Sequence, residues 1–246
     1  VTAPVFVVEH FDAGGGGRYV LDGPEGRHAV SVKRLRAGED VVLTDGAGRW
    51  ADCVVLDTEG KDRLILQLDS VSEEPAEEPR VTVVQALPKG DRGELAVETM
   101  TEVGVDAIVP WAAARCITQW KGDRGAKALG KWRATAREAG KQSRRVRFPE
   151  VAEAATTKQV AALLARADFA AVLHESGDEP LATAELPATG EIVLVVGPEG
   201  GVAPEELALF EEAGAQAYRL GRSVLRTSTA GTAAAAVLLA RTGRWS

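Results

Sequence analysis

Two domains, a small β-rich one followed by an α/β domain with a largely parallel sheet, are the architecture this sequence predicts, and three observations predict it. Over roughly the first seventy residues, short β-type runs alternate with turn signals. The segment Ser72-Glu73-Glu74-Pro75-Ala76-Glu77-Glu78-Pro79 is charged, poor in apolar residues and broken by two prolines, which suits an extended linker. Beyond it, apolar runs alternate with helical patterns, the signature of an α/β domain. The small domain is therefore placed at residues 1–72 and the α/β domain at 80–246.

In the small domain the β-type runs are Val5 to Val8, Val41 to Thr44, Trp50 to Leu56 and Leu64 to Val71, with the glycine run Gly14 to Gly17 as a turn. In the α/β domain the strands are placed at Val81 to Ala86, Ala107 to Trp111, Phe169 to Leu173, Ile192 to Val196 and Ala217 to Leu220. The helices fall at Glu94 to Val103, Ala126 to Ser143, Lys158 to Arg166, Pro204 to Ala213 and Thr229 to Arg241. No internal repeat is visible.

At 246 residues, 45% hydrophobic and 26% charged, the chain has an ordinary globular composition that argues against disorder, collagen-like repeats and disulfide scaffolds. Cys53 and Cys116 stand far apart, and only His10, His28 and His174 accompany them, so no zinc or other metal site is expected and a reducing cytoplasm fits. Val1 to His10 lacks the basic and apolar parts of a signal peptide, and no run approaches the roughly 20 apolar residues of a membrane span, so neither secretion nor a membrane partner is expected.

The net charge of -7 is unevenly spread. From Arg124 to Arg147 the chain carries Arg124, Lys127, Lys131, Arg133, Arg137, Lys141, Arg144, Arg145 and Arg147 against Glu138 alone. On a helical wheel Leu129, Trp132, Ala136 and Ala139 share one face, while Lys127, Lys131, Arg137, Lys141 and Arg144 share the other. A charged face often serves solvation, but one almost wholly positive favours phosphate contact, so Lys131, Arg137, Lys141 and Arg145 are read as candidate phosphate contacts.

Three strand ends carry the candidate chemistry. Ile192 to Val196 runs into Gly197-Pro198-Glu199-Gly200-Gly201, and Pro204, Glu205 and Glu206 then open a helix. In open α/β sheets ligands bind where strands end in such loops. The glycines either shape the turn alone or let backbone approach a ligand; GxGxxG and a P-loop are both absent. A second loop, Arg219 to Ala230, brings arginines and hydroxyls directly before a helix whose Ala233 to Leu239 stretch is small and apolar. His174 and Glu175 close the strand from Phe169; a hydrogen-bonded structural pair and a catalytic pair are both open there. No GxSxG elbow supports a nucleophilic triad.

The ordered motifs Gln85-Ala86-Leu87-Pro88-Lys89-Gly90-Asp91-Arg92, Thr101-Glu102-Val103-Gly104-Val105, Glu138-Ala139-Gly140-Lys141-Gln142-Ser143-Arg144-Arg145, Gly197-Pro198-Glu199-Gly200-Gly201 and Leu220-Gly221-Arg222-Ser223-Val224-Leu225-Arg226 resemble the RsmE family, SPOUT-class methyltransferases of small-subunit (16S) ribosomal RNA. The resemblance covers nearly the whole chain. It implies a PUA-like β-barrel followed by an α/β-knot (trefoil) domain, a homodimer, and methyl transfer from S-adenosylmethionine to N3 of a uridine. Cofactor binding is then expected from Leu173, His174, Glu175, Gly197, Pro198, Glu199, Gly200, Gly201, Leu220, Gly221, Leu225, Arg226 and Thr227. The resemblance makes the candidate phosphate contacts RNA-facing and places His28, Arg34, Lys89, Arg92, Arg115, Gln142 and Arg145 with them. Arg226 is the candidate for stabilising negative charge on the base. Glu199 is either a proton acceptor or a loop-holding carboxylate. Val32-Lys33-Arg34 departs from the family's commoner Val-Leu-Arg, and Thr227-Ser228-Thr229-Ala230 matches its Glu-Thr-Ala ending loosely. Two other readings stay open: a related enzyme acting on a ribose 2′-hydroxyl, and a catalytically silent RNA-binding assembly factor.

Overall fold

In the computed structural model, which describes residues 3–11 and 17–246, the chain divides into two units. One takes Val1–Ala76 together with Gly140–Phe148; the other takes Glu77–Ala139 and Pro149–Ser246. Of the glycine run expected as a turn, Gly14, Gly15 and Gly16 lie outside the described residues.

The first unit is built from β1 (Val5–Val7), β2 (Gly17–Leu21), a short helix α1 (Gly23–Arg27) continuing into a π-helical turn at His28–Val32, β3 (Asp40–Thr44), β4 (Arg49–Glu59), β5 (Arg63–Leu68) and β6 (Ser72–Glu73). The strands pair in the order β1-β3-β4-β5-β2, with β6 on β4; every pairing is antiparallel except β1 with β3. Period-two alternation does the work expected of it: Ala51, Cys53 and Val55 of β4 turn inward against Phe6, Leu43, Leu64 and Leu66. Burial pushes the Cys53 thiol up to about 12. The segment read as a linker corrects in part, because Ser72 and Glu73 pair with Trp50 and Arg49 as strand.

Residues 140–148 complete this unit. The Thr44 hydroxyl donates to the Val146 carbonyl at 2.7 Å, and Ala47 bridges to Arg147. The Lys141 ammonium, 3% exposed, meets the Glu25 carboxylate at 2.9 Å.

The second unit continues with β7 (Arg80–Ala86), α2 (Arg92–Val103), β8 (Ala107–Trp111), α3 (Gly122–Gln142, whose last residues fall in the first unit), β9 (Glu150–Val151), α4 (Thr157–Leu164), β10 (Phe169–Leu173), β11 (Glu179–Pro180), β12 (Glu191–Val196), α5 (Pro204–Glu212), β13 (Gln216–Arg219) and α6 (Thr227–Arg241). Its sheet runs β11-β13-β10-β12-β7-β8-β9 and is parallel throughout. Helices cover both faces. Met100, Trp132 and Leu238, from α2, α3 and α6, pack with Val83 and Ile108; Val160 and Phe210, from α4 and α5, pack with Val84, Trp111 and Val195. That double cover explains why β12 reads as an unbroken apolar run rather than an alternation.

Local chemistry sets the helix ends. Thr156 and Gln159 form a capping box at α4, and α2 stops at Gly104, whose φ of 110° suits glycine. After α6, the Arg244 guanidinium is buried among Asp106, Glu77 and the Gly104 carbonyl, and these acids raise it above the usual arginine range despite its burial.

Candidate functional site

At the carboxyl ends of β10, β12 and β13 the second unit holds a cleft of about 690 Å³. Such ends are where a parallel sheet leaves backbone donors and acceptors for a ligand. Three segments wall it: Leu173–Glu175 at the end of β10, the glycine loop after β12, and residues 218–227, which run from the end of β13 to the start of α6. Every residue expected to hold the cofactor lines this cleft except Gly200.

The glycine loop is held from several sides. Glu199 Oε1 accepts the Lys89 backbone N–H at 3.0 Å, and Arg115 donates to the Gly200 carbonyl at 3.0 Å. Behind it, buried Glu206 accepts the Ala114 N–H at 2.8 Å, the Thr157 hydroxyl at 2.9 Å and the Ala203 N–H at 3.2 Å. Gly201 has φ 75°, a conformation that disfavours any side chain, whereas Gly200 is not left-handed. A Cβ at Gly197 would come within 2.9 Å of the Val202 side chain, so this strand end accepts only glycine without displacement.

His174 is not paired with Glu175. Its Nδ1 lies 2.6 Å from Ser176 Oγ and accepts the Ser176 N–H at 3.2 Å, which directs the proton to Nε2. Arg219 donates to the Gly177 and Asp178 carbonyls at 3.2 and 2.9 Å, fastening the loop after β10 to the end of β13. Tyr218, another lining residue, has its hydroxyl raised by burial and by Glu179.

Five arginines line the cleft, Arg92, Arg115, Arg219, Arg222 and Arg226, against Glu175 and Glu199. Arg92 reaches the Ser228 hydroxyl at 3.4 Å. Arg222 and Arg226 are exposed. A chain of net charge -7 thus concentrates cations at this opening.

The RNA-facing residues expected from the sequence separate into groups. Arg92 and Arg115 stand at the cleft, with Lys89 exposed nearby through its backbone bond to Glu199. Lys131 and Arg137 are exposed on α3, and Gln142 is exposed at its end. Arg145 is half-buried. His28 packs edge-on against Phe6 with ring centroids 6.0 Å apart, and Arg34 is exposed with a φ of 54°. Lys141 is the correction: the helical wheel puts it on the exposed cationic face, but the chain from Gly140 onward belongs to the first unit, where Glu25 covers and neutralises it. Sequence reading gives no role to Glu206 beyond opening a helix and none to Tyr218, and it includes Arg222 only as part of the second loop. Among the described residues, no group of three or more His, Cys, Asp or Glu could hold a metal ion, and no helix is long and apolar enough to cross a membrane.

The fold matches a known class. A family model for an RNA methyltransferase domain matches residues 76–239, and one for an RNA methyltransferase PUA domain matches residues 21–69. The chain belongs to the ribosomal RNA small subunit methyltransferase E (RsmE) family, being 46% identical over 230 residues to the protein of that name from Mycobacterium tuberculosis, across 92% of this chain and 87% of the relative. A crystal structure of ribosomal RNA small subunit methyltransferase E from Neisseria gonorrhoeae bound to S-adenosyl methionine superimposes with a TM-score of 0.84 at 30% identity, covering 98% of each chain. A chain from Legionella pneumophila in complex with the bound cofactor SAM gives a TM-score of 0.83 at 27% identity, again over 98% of each.

Proposed function

We propose that this chain is an S-adenosylmethionine-dependent methyltransferase that methylates N3 of a specific uridine in small-subunit ribosomal RNA. The observation that carries the reading is the cleft itself: three strand-end segments, one of them a glycine cradle at Gly197 and Gly201, meet beneath a cationic rim. Its volume suits a nucleoside-sized ligand. Bound there, S-adenosylmethionine supplies an electrophilic sulfonium methyl. The chain's residues do the rest. Backbone groups of Gly197–Gly201 and Leu220–Thr227 hold the ligand, with the His174 Nε2–H as a further donor. Uracil N3 must lose its proton as it attacks, and Arg226, exposed at the cleft, would stabilise the negative charge that develops on the base. Glu199 commits one oxygen to Lys89, which makes it a loop holder; its second oxygen is the candidate proton acceptor.

The proposal extends to the rest of the chain. The first unit, expected at residues 1–72 and completed by residues 140–148, is the PUA-like β-barrel for RNA, and the second, expected at 80–246, is the SPOUT domain. A trefoil knot in that domain is supported by β13 pairing between β10 and β11 in the sheet, although it follows both in the chain. A homodimer working in the cytoplasm on an assembled small subunit completes the reading. His28, Arg34, Lys89, Arg92, Arg115, Lys131, Arg137, Gln142 and Arg145 are the RNA contacts.

The test is incubation of the pure protein with labelled S-adenosylmethionine and small subunits from a strain lacking the homologous enzyme, followed by nucleoside mass spectrometry. Label in N3-methyluridine is expected; label in a 2′-O-methyl nucleoside, or none, overturns the reading. For the RNA face, replacing Lys131 and Arg137 by Gln flattens the log–log salt dependence of RNA binding by about 0.7 to 0.9 for each phosphate no longer neutralised. Lys141→Gln leaves that slope unchanged and lowers stability by about 3 kcal/mol, because it removes the ammonium that faces a largely buried carboxylate.

A further inference from the structure

Gln85, at the end of β7, is fully buried in the middle of the parallel sheet, where its neighbours Val83, Val84, Ala86 and Leu87 are all apolar. Its amide nitrogen faces three acceptors: the Ala86 carbonyl at 3.1 Å, the Thr227 hydroxyl at 3.2 Å and the Thr227 carbonyl at 3.3 Å. The Thr227 hydroxyl hydrogen is itself committed, at 2.6 Å, to the carbonyl of Gly197. That hydroxyl can therefore only accept from Gln85, and reversing the amide would set its oxygen against three oxygens. The orientation is fixed, and it leaves Oε1 buried without a donor among the described residues. An apolar side chain of the same length would fill this space with no such orphan, so packing gives no reason for an amide here.

The relay runs from β7 through the first residue of α6 to the first residue of the glycine loop. Thr227 ends one proposed cofactor segment and Gly197 begins the other. We propose that Gln85 is a positioning residue that fixes these two walls of the cleft relative to each other through Thr227, at the cost of its own unpaired oxygen. The proposal rests on the cofactor reading of the cleft. Gly231 supports it: a Cβ there would stand 2.9 Å from Met100 Sδ and 3.4 Å from Gln85 Oε1, so glycine leaves room for α6 to bring Thr227 to the amide.

Gln85→Met separates positioning from packing. With the relay gone but the volume kept, the melting temperature is expected to hold or rise, while S-adenosylmethionine binding by calorimetry weakens about tenfold. Thr227→Val, which loses the hydroxyl, should weaken binding similarly, Thr227→Ser should retain it, and the Gln85→Met, Thr227→Val double variant should lose little more than either single change. Parent-like affinity in a folded Gln85→Met protein overturns the proposal. Should Gln85→Met not fold, equal affinity of the Ser and Val variants at Thr227 overturns it instead. A parent protein that binds no S-adenosylmethionine in the same calorimeter would overturn the cofactor reading, a result distinguishable from either.

Discussion

The two loops that face each other across the cleft are held in different ways. The glycine loop after β12 is pinned from outside itself by Lys89 and Arg115, 85 or more residues away, and just beyond it Glu206 ties Ala203 to Ala114 and Thr157. Residues 221–226 are exposed throughout, Val224 to 83%, and the bonds that anchor this loop sit at its ends, at Arg219 and Thr227. One wall is braced along its length; the other is exposed and held at its ends. Bracing of the first wall spares the ordering cost of binding there.

Breaking the pinned wall should have the largest effect. Gly201→Val forces a β-branched side chain into a left-handed conformation, costing about 1–3 kcal/mol and displacing the loop, so S-adenosylmethionine binding should disappear from a calorimetric titration. Removing the pin from behind comes next. Glu206→Gln turns an amide toward one of three donors; a loss of about 1–3 kcal/mol in denaturant unfolding and a clear drop in cofactor affinity are expected together. On the open wall, Arg226→Ala should lower turnover about a hundredfold while leaving cofactor affinity near that of the parent, if its guanidinium acts on the transition state. Val224→Ser should do least, with stability within about 0.5 kcal/mol of the parent. Loss of cofactor affinity in Val224→Ser, or its retention in Gly201→Val, would reverse the contrast.

Much of this was legible in the sequence where the signal is local. The strands Ala107–Trp111 and Phe169–Leu173 fall where their apolar runs end, and the glycine loop, the second loop and His174 arrive at one cleft because strand-end loops of a parallel sheet share an edge. What escaped depends on distant residues. Lys141 sits on the polar side of the α3 wheel, yet it is buried, with Glu25, 116 residues earlier, against its ammonium. Glu206 reads as an ordinary acid in a first helical turn until Ala114 and Thr157 are brought to it. The glycine motif marks the turn, but which glycine carries the positive φ is decided by the path of the loop, and it is Gly201 rather than Gly200. β6 is a two-residue strand inside an acidic stretch with no apolar pattern to announce it.

The first unit borrows residues 140–148 from far along the chain, and this separates the order of synthesis from the order of folding. A nascent chain that has extended only through β6 still lacks the lysine that neutralises Glu25 and one of the two carbonyls that receive the Thr44 hydroxyl. Strands β7 and β8 and most of α3 must be translated before the unit encoded first can finish. An N-terminal fragment ending at β6 would leave the Glu25 carboxylate without its lysine, while the Thr44 hydroxyl would keep only the Arg49 carbonyl as its acceptor.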